Sequence, residues 1–120
     1  MVQSSGTIYG AATINKAVSY AESLGYHVVG GINSDFFTMG SGIPNGISIE
    51  EGVYKSSPEG NHAISVVDGR LELSASPQVE LTLTNRRDDS SVSLTHFNKW
   101  RNSSGGLYLY NEDFSSVSTR

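Results

Sequence analysis

The chain has 120 residues, a formal net charge of −4, 37% hydrophobic and 17% charged residues, and no cysteine. That length fits one small domain able to bury a core, and the missing thiol excludes disulfides, thiol catalysis and cysteine-ligated zinc. Arg86 and Arg87 are cancelled at once by Asp88 and Asp89, so no cationic stripe exists for a phosphate backbone, and nucleic acid is not an expected partner.

No apolar run approaches the roughly 20 residues of a membrane span. The opening ten residues lack the basic start and apolar middle of a signal peptide. If the parent protein is exported, the sequence reads as a processed form or an excised piece. Residues 12–24 carry the helix signal. Ile14, Ala17, Val18, Ala21 and Leu24 fall on one face, Asn15, Lys16, Ser19, Glu22 and Ser23 on the other, and Gly25 follows as a stop. Residues 26–32 (YHVVGGI) read as a buried strand, and a helix placed before it in this way is expected to lie across a sheet.

A glycine-rich stretch follows, with Gly40, Gly42, Pro44, Asn45 and Gly46. It leads into a hairpin with no Lys close behind, so it is not a phosphate-cradling loop; a flexible loop or lid is the expectation. Residues 47–49 and 53–55 flank Glu50-Glu51-Gly52 as a short hairpin. Residues 63–67 and 70–73 flank Asp68-Gly69, the strongest hairpin signal in the chain. Residues 79–84 and 91–97 alternate, the second with Val92, Leu94 and His96 on one face, and 106–110 read as a last strand. One helix and then a run of antiparallel strands predicts an α+β fold, with the N-terminal helix packed on a mostly antiparallel sheet with short hairpins. Residues 1–120 would be a single domain or the N-terminal part of a larger one, since the polar final ten residues close nothing.

Asn33, Asp35, Phe36 and Phe37 sit together at the end of the expected first strand. A carboxylate and an amide there suit acid–base work or the gripping of hydroxyls. The competing reading makes Phe36 or Phe37 core and Asn33 or Asp35 a turn cap. The histidines at 27, 62 and 96 show no metal-ligand spacing, and neither metal nor cofactor is expected. His27 and His96 read as packed strand residues, and His62 as the one near the loops. Residues 96–102 gather His96, Asn98, Lys99, Trp100 and Arg101. Arg101 would suit a phosphate and Trp100 a sugar or base ring; the bland alternative is a strand end with a snorkelling Arg and a half-buried Trp. No Ser/His/Asp order or nucleophile elbow is present.

Residues 28–57, VVGGINSDFFTMGSGIPNGISIEEGVYKSS, resemble the phosphodiester glycosidase family, whose signature runs Ala/Gly-Ile-Asn-x-Gly/Asp-Phe/Tyr-Phe into a loop and a hairpin. The matching positions are Gly31, Ile32, Asn33, Ser34, Asp35, Phe36 and Phe37, then Gly46 and Gly52. Residues 62–73 look like the family's strand pair with an Asp-Gly turn, and 95–114 look like a later strand region. The resemblance spans most of the chain. Two departures stand out: some members have Gly in place of Asp35, and the family's later Arg-Thr segment and Asp-Gly-Gly-Gly loop are missing. The chain therefore corresponds to the N-terminal half of such a domain and is expected to be inactive alone.

The resemblance implies hydrolysis of a sugar-1-phosphodiester in an extracellular or cell-envelope protein. It puts Asp35 and His62 in catalytic roles and Asn33, Gly46 and Arg101 in substrate binding, with a sugar phosphodiester or glycan as partner. The alternative expectation is a non-catalytic carbohydrate- or envelope-binding module. An open sheet edge would also let two copies pair as a homodimer.

Overall fold

The computed structural model describes residues 7–8, 10–32, 35–60, 62–101 and 104–115. The fold is α+β. Helix α1 (Ile14–Ser23) precedes eight short strands: β1 (Ser48–Glu50), β2 (Val53–Ser56), β3 (Ala63–Val67), β4 (Arg70–Ser74), β5 (Thr82–Thr84), β6 (Ser91–Ser93), β7 (His96–Phe97) and β8 (Tyr108–Leu109). Among the described residues these strands pair two by two. β1–β2, β3–β4 and β5–β6 are antiparallel, while β7–β8 is parallel. No helix among the described residues is long and apolar enough to cross a membrane.

The helix ends are set by local chemistry. Thr13 caps the start, its hydroxyl oxygen accepting from the Lys16 amide at 3.4 Å. At the other end Gly25 takes φ 91°. The amides of Gly25 and Tyr26 then reach back to the carbonyls of Glu22 at 3.0 Å and Ala21 at 3.2 Å, the paired closure that a left-handed glycine permits. Packing is another matter. Ala21 is the helix residue that is buried, Ile14 and Leu24 are more than half exposed, and no described strand approaches the helix.

Residues 26–32 are not the buried strand that their apolar run predicts. They form no strand, and Val29 and Ile32 are 92% and 86% exposed. A strand needs neighbouring backbone to take its N–H and C=O groups, and among the described residues no strand pairs with this segment. Its start is tied instead through the Tyr26 hydroxyl, which donates to the Glu51 carboxylate in the β1–β2 turn.

The core is small and polar. Ile8, Ile43 and Phe114 form its apolar centre, with Ser41, Ser48, Ser56, Ser57, Asn98 and Lys99 buried as well. The Ile8 amide donates to the Asp113 carbonyl at 2.7 Å and the Gly10 amide to the Ser41 carbonyl at 2.6 Å, so the N-terminal segment joins the C-terminal end of the described chain to the glycine-rich loop. β2 meets β7 where the Ser57 amide donates to the Phe97 carbonyl at 3.1 Å and the Tyr54 and Phe97 rings stack 5.6 Å apart. His96 stacks on Tyr108 at 4.5 Å, and Tyr110 meets Phe114 edge-on at 4.6 Å. His96 is half-buried within β7, and its Nδ1 has no hydrogen-bond partner among the described residues.

Asn98 ties this region together. It is fully buried at φ 51°, a left-handed conformation that Asn tolerates better than most residues. Its Nδ2 donates to the Lys55 carbonyl at 2.9 Å and to Asn111 Oδ1 at 2.6 Å, while its Oδ1 accepts from the Asn111 amide at 3.0 Å. Asn111 in turn donates to Asp113, whose carboxylate pairs with Lys55 at 2.5 Å. A buried network in which each member is satisfied makes the fold more specific, and a broken one leaves orphaned polar atoms.

The β3–β4 hairpin stands apart. Asp68 at φ 50° and Gly69 at φ 73° form its two-residue turn, and the register runs from Val67↔Arg70 to Ala63↔Ser74. Ile64, Val66, Leu71 and Leu73 share one face and are 62–71% exposed, because among the described residues no other helix or strand packs on the hairpin.

A candidate site built around Asp35, Gly46 and Lys99

The glycine-rich loop is a tied structure, in contrast to the flexible lid its composition suggests. The Asn45 amide donates to the Phe36 carbonyl at 2.9 Å and the Thr38 amide to the Ile43 carbonyl at 2.9 Å. Between them the Thr38 carbonyl accepts from the Ser41 and Gly42 amides at 3.2 and 3.0 Å, so residues 36–45 double back on themselves. Gly42 (φ 73°) lets this loop touch the N-terminal segment: a Cβ there would stand 2.3 Å from the Gly10 carbonyl carbon. Phe36 and Met39 face outward, more than four-fifths exposed.

Lys99 closes the base of the loop. It is 1% exposed, and its ammonium donates to the carbonyls of Pro44 at 2.6 Å, Asn45 at 2.9 Å and Gly46 at 2.9 Å. These are the three hydrogen bonds an ammonium can give. Burial pushes its pKa down to about 8, against the opposing pull of the negative charges on Glu59 and Asp35. The Glu59 amide secures the same loop by donating to the Asn45 carbonyl at 3.0 Å.

Asp35 faces the other side of that peptide. Its Oδ2 accepts from the Gly46 amide at 2.7 Å. Any side chain at 46 would collide with it, since a Cβ would lie 2.8 Å from that oxygen. Asp35 is partly exposed, so a carboxylate fixed by one backbone donor reaches solvent and can grip a hydroxyl or take a proton from one. Lys99 is enclosed with its donors committed to backbone, so its task is to hold the loop.

Of the residues singled out in the sequence, Asp35 and Gly46 are in direct contact across eleven positions. Asn33 lies outside the described residues. His62 is exposed just before β3, and no hydrogen bond or ion pair joins it to Asp35. Arg101 is exposed, and its positive charge is felt by Tyr110. The cation at the loop is Lys99, two positions earlier. Its burial carries no local signal, because lysine is seldom fully enclosed and its three acceptors lie more than fifty residues upstream.

Among the described residues no three His, Asp or Glu side chains converge as metal ligands. A shallow depression on the polar face of α1, lined by Asn15, Lys16, Ser19 and Tyr20, shares no residue with the loop. Set against known proteins, the chain matches no family model, no curated protein and no solved structure.

Proposed function

We propose that these residues form part of a hydrolase domain resembling phosphodiester glycosidases, acting on a sugar-1-phosphodiester. The observation that carries the reading is the contact between Asp35 and Gly46. The resemblance gave both residues to the site from positions well separated in sequence, and they meet at a partly exposed carboxylate on a braced loop. In this reading Asp35 activates water or orients the substrate hydroxyls, and the Gly46 amide keeps its carboxylate aimed. Arg101 and His62 would contribute from exposed positions, with a sugar phosphodiester as substrate in an extracellular or cell-envelope setting.

The test is cleavage of a chromogenic sugar-1-phosphodiester by the complete gene product that carries this chain. Asp35→Asn is expected to lower kcat by about 10²–10⁴-fold, the usual contribution of a positioned acid or base. Turnover unchanged by Asp35→Asn in an active protein would overturn the assignment of Asp35, and no cleavage of any sugar phosphodiester would overturn the reading itself.

A second reading, a non-catalytic glycan-binding module, is favoured by Trp100, which is 45% exposed and directly follows the buried Lys99. Saturable quenching of Trp100 fluorescence by a glycan, in a protein without hydrolytic activity, would select it.

A further inference from the structure

The carbonyls of three consecutive residues converge on one point at the base of the loop. Pro44, Asn45 and Gly46 place their oxygens 2.6, 2.9 and 2.9 Å from Lys99 Nζ. Converging carbonyl dipoles repel one another unless a positive charge sits at their focus. Such a ring of backbone oxygens is how proteins replace the hydration shell of a monovalent cation. Here the chain supplies the charge itself, on a side chain 1% exposed.

The peptide between Asn45 and Gly46 is the centre of the arrangement. Its carbonyl oxygen accepts from Lys99 and its N–H donates to Asp35 Oδ2 at 2.7 Å. One peptide group thus lies head to tail between an ammonium and a carboxylate. A cation on the oxygen polarises the peptide and makes its N–H a stronger donor. Gly46 itself must lack a side chain, because a Cβ would meet that same Asp35 oxygen.

We propose that residues 44–46 form a cation-binding turn, with Lys99 as its tethered cation, and that occupation of this turn is what aims the Gly46 amide at Asp35. Lys99 is a positioning residue: it acts on Asp35 through one peptide and touches no substrate. The ligand class the turn accepts is a primary ammonium ion. The inference stands on this geometry and is independent of the hydrolase reading.

Chemical rescue tests it. Lys99→Ala removes three methylenes and the ammonium, which is the propylammonium ion. At neutral pH, hydrogen exchange of the Gly46 amide is expected to quicken at least 10-fold in Lys99→Ala. It should slow again in millimolar propylammonium, and 1-propanol at the same concentration should do nothing. The unsubstituted protein should respond to neither. Lys99→Met keeps most of the side-chain volume without the charge, so it should exchange as fast as Lys99→Ala and resist rescue, its own chain occupying the space of the lysine. Should Lys99→Ala fail to fold, recovery of its folding yield by propylammonium but not by 1-propanol gives the same answer. Native Gly46 protection in Lys99→Met, equal effects of propylammonium and propanol, or no rescue of Lys99→Ala by propylammonium would each overturn the proposal.

Discussion

Lys99 and Asn98 are 1% and 0% exposed, whereas Ile64, Val66, Leu71 and Leu73 on the β3–β4 hairpin are 62–71% exposed. Hydropathy alone would reverse these places. The buried pair goes inside because its polar atoms are met: the Lys99 ammonium finds three carbonyls, and Asn98 bridges Lys55 and Asn111. A buried polar group costs little once its hydrogen bonds are made and a great deal when they are not. The hairpin forms for a different reason. Its Asp68-Gly69 turn and alternating side chains specify the strand pair locally, and no tertiary partner is needed to define it. Local turn chemistry can therefore set an element's shape, while burial follows long-range pairing.

The largest expected effect lies on the buried side. Asn98→Ala deletes the bridge between the Lys55 carbonyl and Asn111 and puts alanine at φ 51°. Two or more orphaned groups together with the backbone penalty should cost roughly 2–4 kcal/mol, read by denaturant unfolding. A loss below about 0.5 kcal/mol, the level of an ordinary surface change, would mean that the network is not what holds this region.

A smaller effect concerns acid. Asp113 is held below its ordinary carboxylate pKa of 3.8, first by the hydrogen bond from Lys55, with burial opposing. A depressed folded pKa adds stability that is fully present above 3.8 and lost as pH falls through the lower folded value. Lys55 is raised above 10.5 by the same bond, so its share is present below 10.5 and fades as pH climbs past it. Asp113→Asn should make both slopes shallower. Melting curves from pH 2 to 6 and from 9 to 12 would check this, and slopes unchanged in the variant would count against the pair.

The smallest effect is expected on the hairpin. With no other described helix or strand packed on the hairpin, Ile64→Thr and Leu71→Thr should each change stability by less than about 0.5 kcal/mol. A loss several times larger, together with a doubled solution mass for the unsubstituted protein, would show the face to be covered by a second copy. Pairing through the open edge of β3, a strand without a charged residue, would accomplish that.

Much of the fold was legible from short-range chemistry. The periodicity of Ile14, Ala17, Val18 and Ala21, closed by Gly25, marked α1. Asp68-Gly69 marked β3–β4 to within a residue, and Glu51-Gly52 marked β1–β2. The apolar run at 26–32 misled for a physical reason: hydropathy reports a wish for burial, and a strand also requires a partner. In the candidate site, Asp35 and Gly46 were legible from the motif that holds them, whereas Lys99 was passed over in favour of Arg101.

By itself, then, the sequence determined the elements whose causes lie within about four residues of one another: a capped helix, glycine turns, alternating hairpins and an α+β composition. The tertiary structure alone decided that Lys99 would be enclosed, that its ammonium would gather the carbonyls of 44–46, and that Asp35 would meet the Gly46 amide. Those choices depend on groups eleven to fifty-five positions apart, and a buried charge is stable only where all of its partners arrive together.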